Sequence, residues 1–94
     1  MPDAISELLL TEAAIDKLGA RGISAEEVHQ LPRNAHVTVR NPHSDPPDKR
    51  RLLIGRTDGG RTLTLVIERT SDPTTWLTVT GWDATPHERR LLDS

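Results

Sequence analysis

The sequence predicts an α+β domain: two N-terminal helices, an antiparallel sheet of three or four strands, and a short C-terminal helix. Three observations carry this expectation. Helix-capping residues stand ahead of residues 12, 25 and 86. From about residue 36 to 82 β-branched residues are frequent, and in the later arms apolar residues alternate with polar ones. Within that stretch Thr57-Asp58-Gly59-Gly60 separates two arms in the manner of a hairpin turn.

Taken in order, Ile5 to Leu10 reads either as an added edge strand or as the lead into the first helix. Thr11 caps Glu12-Ala13-Ala14-Ile15-Asp16-Lys17-Leu18, in which Ile15 and Leu18 share a face and Ala14 stacks against Leu18. Gly22 suits the stop. Ser24 and Glu27 form a capping-box pair for a second, short helix that Pro32 closes. His36 to Arg40, with Val37, Thr38 and Val39, is the first expected strand. Asn41 to Asp48, with three prolines, reads as a mobile loop. Arg51–Arg56 and Thr62–Glu68 are the hairpin arms, and Leu63, Leu65 and Ile67 mark one buried face. Ser71-Asp72-Pro73 turns the chain into a last strand, Thr75 to Trp82. Alternation there puts Leu77 and Val79 in the core and leaves Trp76, Thr78, Thr80 and Trp82 on the other side. Thr85 and Glu88 make another capping box, with Pro86 at the first helical position and an end near Leu92.

The 94 residues are enough for one domain. Hydrophobic residues make up 34%, with no Phe, Tyr or Cys, so Leu, Ile, Val and Ala must form the core with Trp76 and Trp82 as its only large pieces. The absence of cysteine excludes disulfides and thiolate metal sites. Apolar runs reach only three residues, as in Leu8-Leu9-Leu10, far too short to cross a membrane. The first residues lack the basic lead and apolar stretch of a signal peptide, so a cytoplasmic protein is expected.

Twelve basic and fourteen acidic side chains give a net charge of −2, which speaks against a protein that coats nucleic acid through bulk charge. The charge is unevenly spread. Residues 36–70 hold seven bases and four acids, through Arg40, Lys49, Arg50, Arg51, Arg56, Arg61 and Arg69. That segment reads either as a solvated sheet edge or as a phosphate-backbone site. His29, His36, His43 and His87 show no metal-ligand spacing, so neither metal nor cofactor is expected. His87, in the first turn of the last helix, reads as an exposed residue or as a general acid or base for RNA cleavage. Trp82 reads as a base-stacking or partner-anchoring residue, or as packing beneath the last helix.

Several segments together resemble the BrnT-type toxin family. Val79-Thr80-Gly81-Trp82-Asp83-Ala84-Thr85-Pro86-His87-Glu88-Arg89-Arg90 is similar to the family's end. Leu10-Thr11-Glu12, Gly22-Ile23 and Glu26-Glu27-Val28 resemble its opening. Arg50, then Ile54-Gly55-Arg56-Thr57, Gly60-Arg61 and Leu63, are similar to its central hairpin. The resemblance spans roughly residues 10–92 and implies a RelE-like ribonuclease fold over a single domain, 1–94, with metal-independent RNA cleavage and neutralisation by a cognate antitoxin. Taken with the readings of the residues above, it points to Arg50, Arg61, His87 and Glu88 as catalytic residues and to Arg21, Arg56, Trp82 and Arg89 as RNA- or partner-binding residues, of which Arg50, Arg56, Arg61, Glu88 and Arg89 match the family. The chain departs from the family at Arg21, where a His is usual, and at Trp82, where an Arg is usual. A divergent toxin with RNA as substrate is therefore one expectation. A non-catalytic binding or regulatory module on the same fold is the alternative, and an unrelated small α+β domain is a third.

Overall fold

A computed structural model describes residues 5–40 and 49–93. The expected loop at 41–48, and His43 within it, lie outside the described residues. The elements run β1 (Glu7–Leu10), α1 (Glu12–Gly19), α2 (Ala25–Gln30), a 3-10 turn (Leu31–Arg33), β2 (His36–Arg40), β3 (Arg50–Arg56), β4 (Thr62–Arg69), β5 (Thr75–Asp83) and α3 (Pro86–Asp93). The five strands form one sheet in the order β1-β5-β4-β3-β2. β2 to β5 are antiparallel neighbours, whereas β1 runs parallel to β5.

The expected fold class is thereby corrected. The domain has a five-stranded mixed sheet, not two leading helices with an antiparallel sheet of three or four strands. The added strand, Glu-Leu-Leu-Leu, is four residues long and shows no clean alternation. A parallel pair also requires a long crossover. Here β1 pairs with the last strand of the chain, a relationship that local periodicity does not carry.

The helical ends form as their sequences dictate. The Thr11 hydroxyl accepts from the Ala14 N–H at 3.1 Å. α1 closes when the Ile23 N–H reaches the Leu18 carbonyl (2.9 Å) and the Gly22 N–H reaches that of Gly19 (3.0 Å). Gly22 supplies the positive φ of +73° that this closure requires. At the hairpin tip Gly60 has φ +87°, while the Thr57 hydroxyl accepts from the Arg61 N–H at 3.1 Å.

One sheet face, covered by α1, α2 and the 3-10 turn, holds the main core: Leu8, Leu53, Leu63, Leu65, Ile67 and Trp76 from strands meet Leu18, Ile23, Val28 and Leu31. α3 packs across β2 and β3 on the other face, where Ile54 is fully buried. No helix among the described residues is long and apolar enough to cross a membrane.

β5 requires a second correction. Trp76 and Thr78, not Leu77 and Val79, point into the main core. The register passes from Val66↔Thr80 to Ile67↔Thr78, which leaves Val79 as the extra residue of a β-bulge. The bulge changes the phase of alternation, so Trp76 and Trp82 stand on opposite faces. Burial of one indole, roughly 200 Å², is worth on the order of 5 kcal/mol. Leu77 and Val79 together would give about 3–6 kcal/mol, a comparable gain, so the bulge, and not buried area alone, fixes which residues of β5 turn inward. The arrangement leaves the Trp76 indole N–H and the Thr78 hydroxyl buried without a hydrogen-bond partner among the described residues. Arg69 lies 4.9 Å over the Trp76 ring.

Candidate functional site

Five of the residues expected to carry function, Arg21, Arg61, Trp82, Glu88 and Arg89, gather around the end of β5. The closure of α1 turns Arg21 across that strand. Its Nη1 donates to the Gly81 carbonyl at 2.6 Å and to the Thr80 hydroxyl at 3.2 Å. α1 approaches closely here because residue 81 is Gly. A Cβ would fall 2.6 Å from Leu65 Cδ2, 2.9 Å from the Thr64 carbonyl oxygen and 3.1 Å from Leu18 Cδ2.

Arg61 enters from the hairpin tip. Its Nε and Nη2 donate to the two Asp83 oxygens at 2.7 and 3.2 Å. Its Nη1 reaches the Gly22 carbonyl at 2.8 Å and both Glu27 oxygens at 3.3 Å. Glu27 meanwhile closes the capping box of α2 with Ser24. The Arg61 fork is thus filled from three directions, and it clamps hairpin, β5 and α2 together. Sequence reasoning missed Asp83 and Glu27 as its partners. The capping box was visible, but nothing local marks the second use of Glu27.

Glu88 is similarly engaged. One of its oxygens accepts from the Thr85 N–H (2.8 Å), the Thr64 hydroxyl (3.0 Å) and the Trp82 indole N–H (3.1 Å). Thr64 and Trp82 are cross-strand partners on the face that α3 covers. Trp82 is half-buried there.

These contacts set the charge states. The Asp83 carboxyl is held below its ordinary range chiefly by the Arg61 hydrogen bond, and the same bond raises Arg61. The Ser24 N–H, with Arg61 behind it, lowers Glu27. Partial burial pushes Glu88 up, but the Thr85 N–H, the Trp82 indole and the Thr64 hydroxyl outweigh it and leave the carboxyl below its usual range. Glu88 is therefore a carboxylate at neutral pH, suited to accepting hydrogen bonds.

The other expected residues lie elsewhere. Arg50 and Arg56 occupy opposite ends of β3, roughly 20 Å apart along the strand. Arg50 Nε donates to Glu68 at 3.1 Å, with Lys49 on the same carboxylate at 3.6 Å. Arg56 pairs with Asp93 and ties down the end of α3. His87 is exposed on the first turn of α3, one residue from Glu88. Arg89 and Arg90 are also exposed, and the positive charge of Arg89 contributes to lowering Asp83. No three of His, Asp and Glu converge at metal-holding distance among the described residues.

The profile of a family described as a domain of unknown function, DUF4258, matches residues 10–80. That span runs from the end of β1 into β5 and includes Arg21 and Arg61, but stops short of Trp82, Glu88 and Arg89. No curated protein and no solved structure gives a significant match.

Proposed function

The chain belongs to the DUF4258 family, and we propose that it is a non-catalytic binding module that receives an RNA phosphate backbone across the end of β5. The observation that carries this reading is the commitment of the two central polar groups. The Arg61 fork is filled by Asp83, Glu27 and Gly22, and Glu88 accepts three internal hydrogen bonds. Neither is left to take part in proton transfer. Beside them, among the described residues, Arg21 bonds to uncharged oxygens and Arg89 is exposed near Asp83, so these two guanidinium groups are the ones placed to meet a phosphate. This reading sets the domain in the cytoplasm, where RNA is met.

The test is fluorescence anisotropy with a short single-stranded RNA in the presence of EDTA. Arg21→Ala and Arg89→Ala should each weaken binding and reduce the salt slope by about 0.7, with RNA left intact. Unchanged affinity in the double variant would overturn the reading.

A second reading is favoured by His87, which stands exposed beside Arg89 and Arg90. In it the chain is a BrnT-like toxin, a metal-independent endoribonuclease neutralised by a cognate antitoxin. Expression of the chain alone would then arrest growth with loss of RNA, and His87→Ala would relieve the arrest.

A further inference from the structure

We propose that the outer edge of β1 docks an extended, acidic segment of a protein partner as a sixth strand. β1 ends the sheet, and its ladder among the described residues is the parallel one with β5. Successive residues of a strand turn their backbone groups to opposite sides, so an edge strand keeps a row of groups open to another chain. At Leu8 one such group is engaged by a side chain and not by a strand. The Leu8 carbonyl faces away from β5 and accepts from His29 Nε2 at 3.1 Å, the bond that a neighbouring strand's N–H would make. Along this edge runs an open groove of about 310 Å³, lined by Ser6, Glu7 and Leu8 on one side and by His29, Pro32 and Arg33 on the other.

The chemistry of the groove selects its occupant. On the helical side stand His29 and Arg33. Among the described residues Arg33 has one loose partner, Asp58 at 3.5 Å, with both side chains more than half exposed, and such a pair is worth little and exchanges easily. On the opposite face of β1 stand Glu7 and Leu9, and Leu9 is 43% exposed. An added strand alternates its side chains in the same way. The occupant therefore carries acidic residues toward His29 and Arg33 and an apolar residue beside Leu9, and Glu7 disfavours an acid on that second side. The incoming N–H takes the Leu8 carbonyl and releases His29 to meet a carboxylate. A second copy of β1 does not fit, because it would offer Leu8 where His29 and Arg33 call for an acid. This is strand addition, in which main-chain bonds give affinity and alternate side chains give choice. The site is separate from the β5 end and does not depend on RNA binding there.

The experiment uses the whole chain in solution NMR with two synthetic nonapeptides, one alternating Glu with Val and the other Lys with Val. The Glu–Val peptide should bind saturably, slow exchange of the Leu8 amide and shift the His29 ring resonances. The Lys–Val peptide should bind at least about tenfold more weakly. Arg33→Glu, and separately Leu9→Lys, should weaken the Glu–Val peptide by a similar factor with the melting temperature and RNA affinity unchanged. Four results would overturn the proposal: no protection of Leu8 by the Glu–Val peptide, equal binding of both peptides, indifference to Arg33→Glu, or self-association of the chain through this edge.

Discussion

The indole N–H of Trp82 donates to the Glu88 carboxylate at 3.1 Å, on the same oxygen that caps the first turn of α3 through the Thr85 N–H. One carboxylate thus starts the helix and fastens it to the sheet. α3 has no buried residue of its own, so this junction and the Arg56–Asp93 pair hold much of it in place. Trp82→Phe keeps an aromatic ring, removes the donor and trims part of the indole's bulk. It should cost about 1–2 kcal/mol, at the low end for a bond to a charged acceptor because the site is half-buried. Urea denaturation measures this, and a loss below about 0.5 kcal/mol would mean that Thr64 and Thr85 suffice.

Arg61→Lys should behave as a structural lesion and not as a binding one. Lysine keeps the charge but cannot bridge Asp83, Glu27 and the Gly22 carbonyl together. A stability loss of about 1–2 kcal/mol is expected, with RNA affinity at low temperature close to that of the unaltered chain. A folded variant that has lost RNA binding would return Arg61 to the binding surface.

Acid should weaken the fold through Asp83, Glu27 and Glu88. All three carboxyls lie below their ordinary values in the folded chain. A depressed folded value means that the unfolded chain binds more protons in between. The stabilisation is therefore fully present above the unfolded values, about 4, and is lost as pH falls through the lower folded ones. Thermal melting between pH 7 and 3 should show little change until about pH 5 and then a steady fall. Arg61→Ala should flatten the part of that fall due to Asp83 and, to a smaller extent, the part due to Glu27, which the Ser24 N–H chiefly lowers.

Two glycines should respond to alanine with opposite signs. At Gly81 the new Cβ meets Leu65 and the Thr64 carbonyl oxygen at 2.6 and 2.9 Å, and one of those atoms is backbone. A loss of about 1–3 kcal/mol is expected from the overpacking. At Gly19, in the last turn of α1, no atom lies within 4 Å, and Gly19→Ala should gain about 0.5–1 kcal/mol from helix propensity. Chemical denaturation of the pair checks both.

Local signals were readable wherever one segment decides its own shape. Thr11, the Ser24–Glu27 and Thr85–Glu88 boxes, and the Gly60 turn all stand where the sequence puts them. What escaped was decided between segments. The choice of which β5 face turns inward depends on a bulge opposite Val66 and on the size of Trp76, and alternation pointed the other way. Arg21, Arg61 and Glu88 were legible as residues of interest, but their mutual distance was not. The arginine clamp needs Asp83 and Glu27 from two further elements, and no spacing in the chain announces it.

The parallel pairing of β1 with β5 also bears on the order of events during synthesis. Leu8 leaves the ribosome well before its strand partner Trp76, which follows only after the β2–β4 meander. Contacts this remote in sequence slow folding because a long loop must close before they form. The meander can assemble as the chain emerges, while the N-terminal strand waits with its leucines uncovered. A nascent chain halted before Thr75 should therefore be a ready substrate for chaperones, and release of the final strand should mark the moment at which the domain becomes resistant to protease.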